Sequence, residues 1–172
     1  TYDEKGSEMD KTKLELGDDP QKTGVYEMTF AVQNFGTSSL SYDVGAHILT
    51  EGVSETLTSH GETTVTQTAQ PLEGAKLEVV KVEGGTINGM NVTVNGGKEA
   101  MVTVKITLSD ADKKYLDDSF KNGMYVEGFI TLTATAGTTV NMSVPYLAFY
   151  GDWNVAPLFD LDYYETNADE LD

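Results

Sequence analysis

Between Ala100 and Leu108 the apolar residues Ala100, Val102, Val104, Ile106 and Leu108 fall at every second position, separated by Met101, Thr103, Lys105 and Thr107. Nine residues with this period fit a strand that has one dry and one wet face, and they fit no helical stripe. The same period recurs at Tyr26, Met28, Phe30 and Val32, and again at Leu40, Tyr42, Val44, Ala46 and Ile48. The turn-rich segment Asn34-Phe35-Gly36-Thr37-Ser38-Ser39 separates these two runs, so they are expected to pair as a hairpin.

Further along, Leu77, Val79, Val80 and Val82 precede Gly84-Gly85, and Val92 and Val94 precede Asn95-Gly96-Gly97, which reads as two strands punctuated by glycine turns. The polar stretch from Thr50 to Gln70 predicts exposed strand or loop, with Thr63, Thr64 and Val65 opening a strand. Helical signal is local. Ser109 followed three residues later by Asp112 is a capping-box pattern, and the segment from Asp110 to Phe120 brings Ala111, Tyr115 and Leu116 to one face. That helix should end near Gly123. Tyr125 to Ala134 and Thr138 to Tyr150 predict the last two strands, divided at Thr135-Ala136-Gly137.

Seven or so strands with short connections and one helical insertion near 110–120 specify an all-β chain, an immunoglobulin/fibronectin III-like antiparallel β-sandwich. The expected core is Met28, Phe30, Val32, Val44, Ile48, Val102, Val104, Ile106, Ile130, Val140 and Val144. The chain divides into an N-terminal linker over 1–12, the sandwich over 13–153, and an acidic linker over 154–172 leading toward a following domain.

Composition narrows the chemistry. Net charge is -17, and all eleven basic residues are Lys. With no guanidinium fork for phosphates or base edges, nucleic acid is not an expected partner. No apolar run approaches the length that spans a bilayer, so membrane insertion is not expected either. Absence of Cys removes disulfides, thiolate metal sites and cysteine nucleophiles.

Two histidines, His47 and His60, fall far short of a zinc donor set, and no nucleophile elbow surrounds any serine. No catalytic, cofactor-binding or metal residue is therefore assigned. Calcium needs only carboxylates, yet Asp110 with Asp112, Asp117 with Asp118 and Asp160 with Asp162 do not fit the twelve-residue calcium loop. Asp110 and Asp112 have a sufficient role as acid in a first helical turn. Gly84-Gly85 and Gly96-Gly97 lack the strand-loop-helix context of a phosphate cradle. Asn91-Val92-Thr93 and Asn141-Met142-Ser143 match the short glycosylation pattern. The candidate contact residues are the aromatics Tyr146, Phe149, Tyr150 and Trp153, a cluster that suits sugar stacking or contact with a neighbouring domain, with core or interdomain packing the more common use of such residues.

Two runs carry a more specific signal: Gly123-Met124-Tyr125-Val126-Glu127-Gly128-Phe129-Ile130, and Val144-Pro145-Tyr146-Leu147-Ala148-Phe149-Tyr150-Gly151-Asp152-Trp153. With Asn34-Phe35-Gly36 and Leu40-Ser41-Tyr42-Asp43-Val44, they resemble the fibronectin type III-like accessory domain of bacterial cell-envelope subtilisin-like serine proteases, the family of lactocepins and the streptococcal complement-cleaving peptidases. The resemblance covers roughly Lys13 to Trp153.

It implies an extracellular, cell-wall location and a non-catalytic module serving as support, spacer or protein-substrate exosite. Its partners would be the protease domain and a following β domain of the same polypeptide. The family's catalytic Asp, His and Ser belong to a separate domain and match no position here. The integrin-binding Arg-Gly-Asp of some relatives has no counterpart in a chain without Arg. A cell-wall carbohydrate- or calcium-binding module is the alternative expectation.

Overall fold

Residues 13–57, 63–138 and 140–155 are described in the computed structural model, and they form two facing sheets and one helix. The strands are β1 (Leu14–Asp18), β2 (Val25–Gln33), β3 (Leu40–Leu57), β4 (Thr63–Pro71), β5 (Lys76–Glu83), β6 (Thr86–Asn88), β7 (Asn91–Val94), β8 (Glu99–Thr107), β9 (Met124–Ala136) and β10 (Met142–Tyr150). Helix α1 covers Asp110–Ser119, between β8 and β9. The smaller sheet is ordered β2-β8-β5; the larger runs β1-β10-β9-β3-β7-β6, with β4 also paired to β3.

The clean alternation of β2 and β8 becomes an antiparallel ladder in which Met28 faces Val104 and Phe30 faces Val102. Val102, Val104 and Ile106 lie fully buried against Val92, Val94, Val126 and Ile130 of the larger sheet. Burial of these side chains, at roughly 1.5–3 kcal/mol each, is what drives the two sheets together.

The expected hairpin between the Tyr26–Gln33 and Leu40–Leu49 strands does not form. β2 lies in the smaller sheet, and β3 lies in the larger one beside β9, with Val44 opposite Leu132 and Ala46 opposite Ile130. Paired side by side, the two apolar faces would need a third layer to cover them; crossing between sheets lets them cover each other. Asn34 makes the crossover. Its buried amide donates to the carbonyls of Ser38 (2.8 Å) and Val94 (3.0 Å), while its Oδ1 accepts from the Gly36 N–H (2.9 Å).

β3 is 18 residues long, roughly 60 Å at about 3.3 Å per residue, and it serves several neighbours in succession. β9 pairs along Ser41–Leu49, while on the opposite edge β7 takes Leu40–Asp43 and β4 takes Leu49–Leu57. The strand start at Thr63 agrees with the sequence expectation. A second crossover, from β1 to β2, is held by Asp19, whose buried carboxylate accepts from the N–H groups of Thr23 (2.9 Å) and Gly24 (2.8 Å).

At α1 the capping box forms as its spacing required. Ser109 Oγ accepts from the Asp112 N–H (3.1 Å) and Asp112 Oδ2 accepts from the Ser109 N–H (3.0 Å). Leu116 is the buried apolar residue of the helix, and Ala111 points to solvent because Asp112 takes the inward position. Val140 is likewise not core. It is 63% exposed, since β10 begins at Met142 rather than Thr138. The remaining expected core residues are buried or half-buried.

Candidate functional site

Strand parity decides where the carboxy-terminal aromatics point. Along β10, Tyr146, Ala148 and Tyr150 face inward, and Phe149 faces the outer side of the larger sheet. Tyr146 and Tyr150 are therefore core residues, and the four aromatics named from sequence form no single platform.

Tyr146 lies opposite Gly128 and donates to the His47 carbonyl at 3.4 Å. A Cβ on Gly128 would stand 1.9 Å from the His47 carbonyl oxygen and 3.3 Å from the Tyr146 hydroxyl. The Gly in Glu127-Gly128-Phe129 and the Tyr in Pro145-Tyr146-Leu147 thus belong to one packing arrangement. Tyr150 donates to Asp117 Oδ2 at 3.4 Å, and the Lys22 ammonium sits 5.4 Å from its ring centre while pairing with Asp117 at 2.6 Å. Burial, then the negative charge of Asp117, pushes the Tyr150 hydroxyl up to about 12.

Phe149 finds a different set of partners. Trp153 stacks on it with ring centres 4.5 Å apart and an interplanar angle of 23°. Tyr125, paired with Phe149 across β9 and β10, meets both rings edge-on at 5.4 Å. Trp153 remains 49% exposed and Val155, the last described residue, is also exposed. The site is thus an outer-face trio, Tyr125–Phe149–Trp153, at the end of β10. Tyr125 escaped the sequence reading because it lies at the start of the preceding strand, outside the aromatic run; the register of β9 against β10 is the information that unites them.

Beside Tyr125, a shallow cleft of 320 Å³ lies over β3 between β4 and the start of β9. Glu51, Gln67, Thr68, Met124 and Glu127 contribute to its lining. Thr50 Oγ donates to the Tyr125 carbonyl (2.7 Å) and the Tyr115 hydroxyl donates to the Glu51 carbonyl (3.2 Å), so β9 and α1 both fix this stretch of β3.

The other candidates take structural roles. His47 is exposed on β3, and no serine among the described residues hydrogen-bonds its ring; His60 lies outside the described residues. Asp112 caps α1, Asp117 pairs with Lys22, and Asp118 pairs with Lys114 at 2.6 Å, while Asp160 and Asp162 lie outside the described residues. Among the described residues no three His, Asp or Glu groups converge as a bound metal requires. The Asn91 amide donates to Asp43 (2.8 Å) and Thr135 (3.0 Å), and Asn141 Oδ1 accepts from the Ala134 N–H.

Comparison with known families matches residues 14–147 to the Fn3-like domain, a span running from the first residue of β1 into β10. The chain belongs to the Fn3-like domain family. This Fn3-like domain is 30% identical over 148 residues to the PI-type proteinase of Lactococcus lactis subsp. cremoris and, to the same extent, to the PIII-type proteinase of strain SK11. It is 29% identical over the same length to the PII-type proteinase of Lacticaseibacillus paracasei. In each case the alignment takes in 86% of this chain and 6% of the relative, so the Fn3-like domain corresponds to a small segment of much longer proteins.

Proposed function

We propose that this Fn3-like domain is a non-catalytic accessory module of a bacterial cell-surface subtilisin-like serine proteinase, and that it braces a neighbouring domain of the same polypeptide through Tyr125, Phe149 and Trp153. The observation that carries this reading is the half-exposed Trp153 ring, held flat on Phe149 just after the last strand of the sandwich. Aromatic side chains preorganised in this way present large contact area at low entropic cost. The relatives' description as proteinases, and the 6% of their length that this chain spans, support a role as one part of a larger assembly.

The test has two arms. A fluorophosphonate probe that labels activated serines should leave the isolated domain unlabelled. In the longer polypeptide, Trp153→Ala should open the junction after this domain to limited proteolysis. Labelling of the isolated domain, or a junction indifferent to Trp153, overturns the reading.

A further inference from the structure

The cleft beside Tyr125 has a one-sided chemistry that the accessory role does not use. Among the described residues, its charged lining consists of Glu51 and Glu127, with no Lys. Register puts Leu49 opposite Glu127, two residues before Glu51, so the carboxylate-bearing positions are diagonal neighbours on the same outer face, with Cα atoms roughly 7–8 Å apart. Along β9 the outward positions read Tyr125, Glu127, Phe129, that is aromatic, acidic, aromatic, and Phe129 is 45% exposed. An extended partner strand projects alternate side chains to one side at the same period of two. Apolar, basic, apolar is the complementary pattern. A cation held between two carboxylates and an aromatic ring gains Coulomb attraction and cation–π stabilisation together. The -17 net charge also draws basic segments toward the surface from a distance.

We propose that this face binds an extended basic segment of another polypeptide, whose Lys or Arg side chain enters the cleft between Glu51 and Glu127 against Tyr125. The cleft, at 320 Å³, is near the lower end of the range of about 300–1,000 Å³ for ligand pockets, a size suited to one long side chain. This site adjoins the bracing contact proposed above and shares Tyr125 with it, but it depends on Glu51 and Glu127, which that contact does not use, so the two readings fail separately.

Trp153 is the only tryptophan of the chain, and its ring lies 5.4 Å from Tyr125, so its emission reports on the cleft. The probe is the capped peptide Thr-Leu-Thr-Lys-Thr-Leu-Thr, with a second peptide carrying Glu in place of Lys. The Lys peptide should change Trp153 emission saturably and shift backbone amide resonances around Glu51, Gln67–Ala69 and Met124–Phe129; the Glu peptide should do neither. The double variant Glu51→Gln/Glu127→Gln should weaken binding about tenfold or more, as should raising salt from about 50 to about 500 mM. Thr68→Lys, which sets a cation at an exposed position of the lining, should also block binding and serves as the second variant should the first fail to fold. No saturable change up to about 5 mM peptide, equal binding of the two peptides, or unchanged affinity in the folded variants would overturn the proposal.

Discussion

At Gly128 an added methyl group would collide with backbone, 1.9 Å from the His47 carbonyl oxygen, and the residue's φ of +149° disfavours any L side chain. Gly128→Ala should therefore cost about 3 kcal/mol or more in urea unfolding, far beyond an ordinary Gly-to-Ala change in a strand. Tyr26 shows the opposite case. It is buried, and its hydroxyl has no hydrogen-bond partner among the described residues, so Tyr26→Phe removes an unsatisfied polar atom and should leave stability unchanged or raise it by about 1 kcal/mol. Burial raises the hydroxyl pKa of Tyr26, Tyr146 and Tyr150, and for Tyr150 the value is about 12 against 10.0 for a free tyrosine. Above pH 10 the unfolded chain releases protons that the folded chain keeps. Stability from these groups is thus whole below pH 10 and falls as pH rises from there, the share of Tyr150 being lost through about 12. Urea midpoints measured across that window should fall, and Tyr150→Phe should flatten the fall; a midpoint independent of pH there would contradict the assignment. Of these residues, Tyr146 and Tyr150 stand out in sequence as an aromatic cluster that suits a contact surface or the core, because residue type alone does not carry the parity of β10.

Elements with strong internal pattern were legible from sequence, and those defined by distant partners were not. β2, β8 and the capping box of α1 follow from alternation and from the Ser109–Asp112 spacing. β1 has little pattern of its own; it exists through parallel pairing with β10, Leu14 against Tyr146, more than a hundred residues away. Alternation likewise says which face of a strand is dry but not which sheet receives it, so β2 and β3 read as a hairpin when they lie in opposite sheets. The crossover rests on Asn34, which reads in sequence as a turn residue and is buried in the fold. Asn34→Ala would strand the Ser38 and Val94 carbonyls and the Gly36 N–H, and should cost about 2–3 kcal/mol in chemical denaturation. Asn34→Asp keeps the acceptor toward Gly36 while losing both amide donations, and should be at least as costly. Little change in either variant would mean that the crossover is held by strand packing alone.

For the molecule as a whole, the decisive feature is the outer face of the larger sheet, where the register of the consecutive strands β9 and β10 assembles an aromatic trio next to an acidic cleft. Phe149 and Trp153 were visible as candidates in sequence; Tyr125, Glu51 and Glu127 became part of the site only through the register of β3, β9 and β10. A rigid sandwich that presents such a face, in a chain matching a small segment of long proteinases, is the basis of the bracing role proposed above. Amide hydrogen exchange over Tyr125 and Leu147–Trp153, compared between the isolated domain and the longer polypeptide that carries it, tests this most directly. The account predicts markedly slower exchange in the longer polypeptide, confined to this face. Equal exchange in the two contexts, with protection appearing elsewhere on the domain or nowhere, would contradict it.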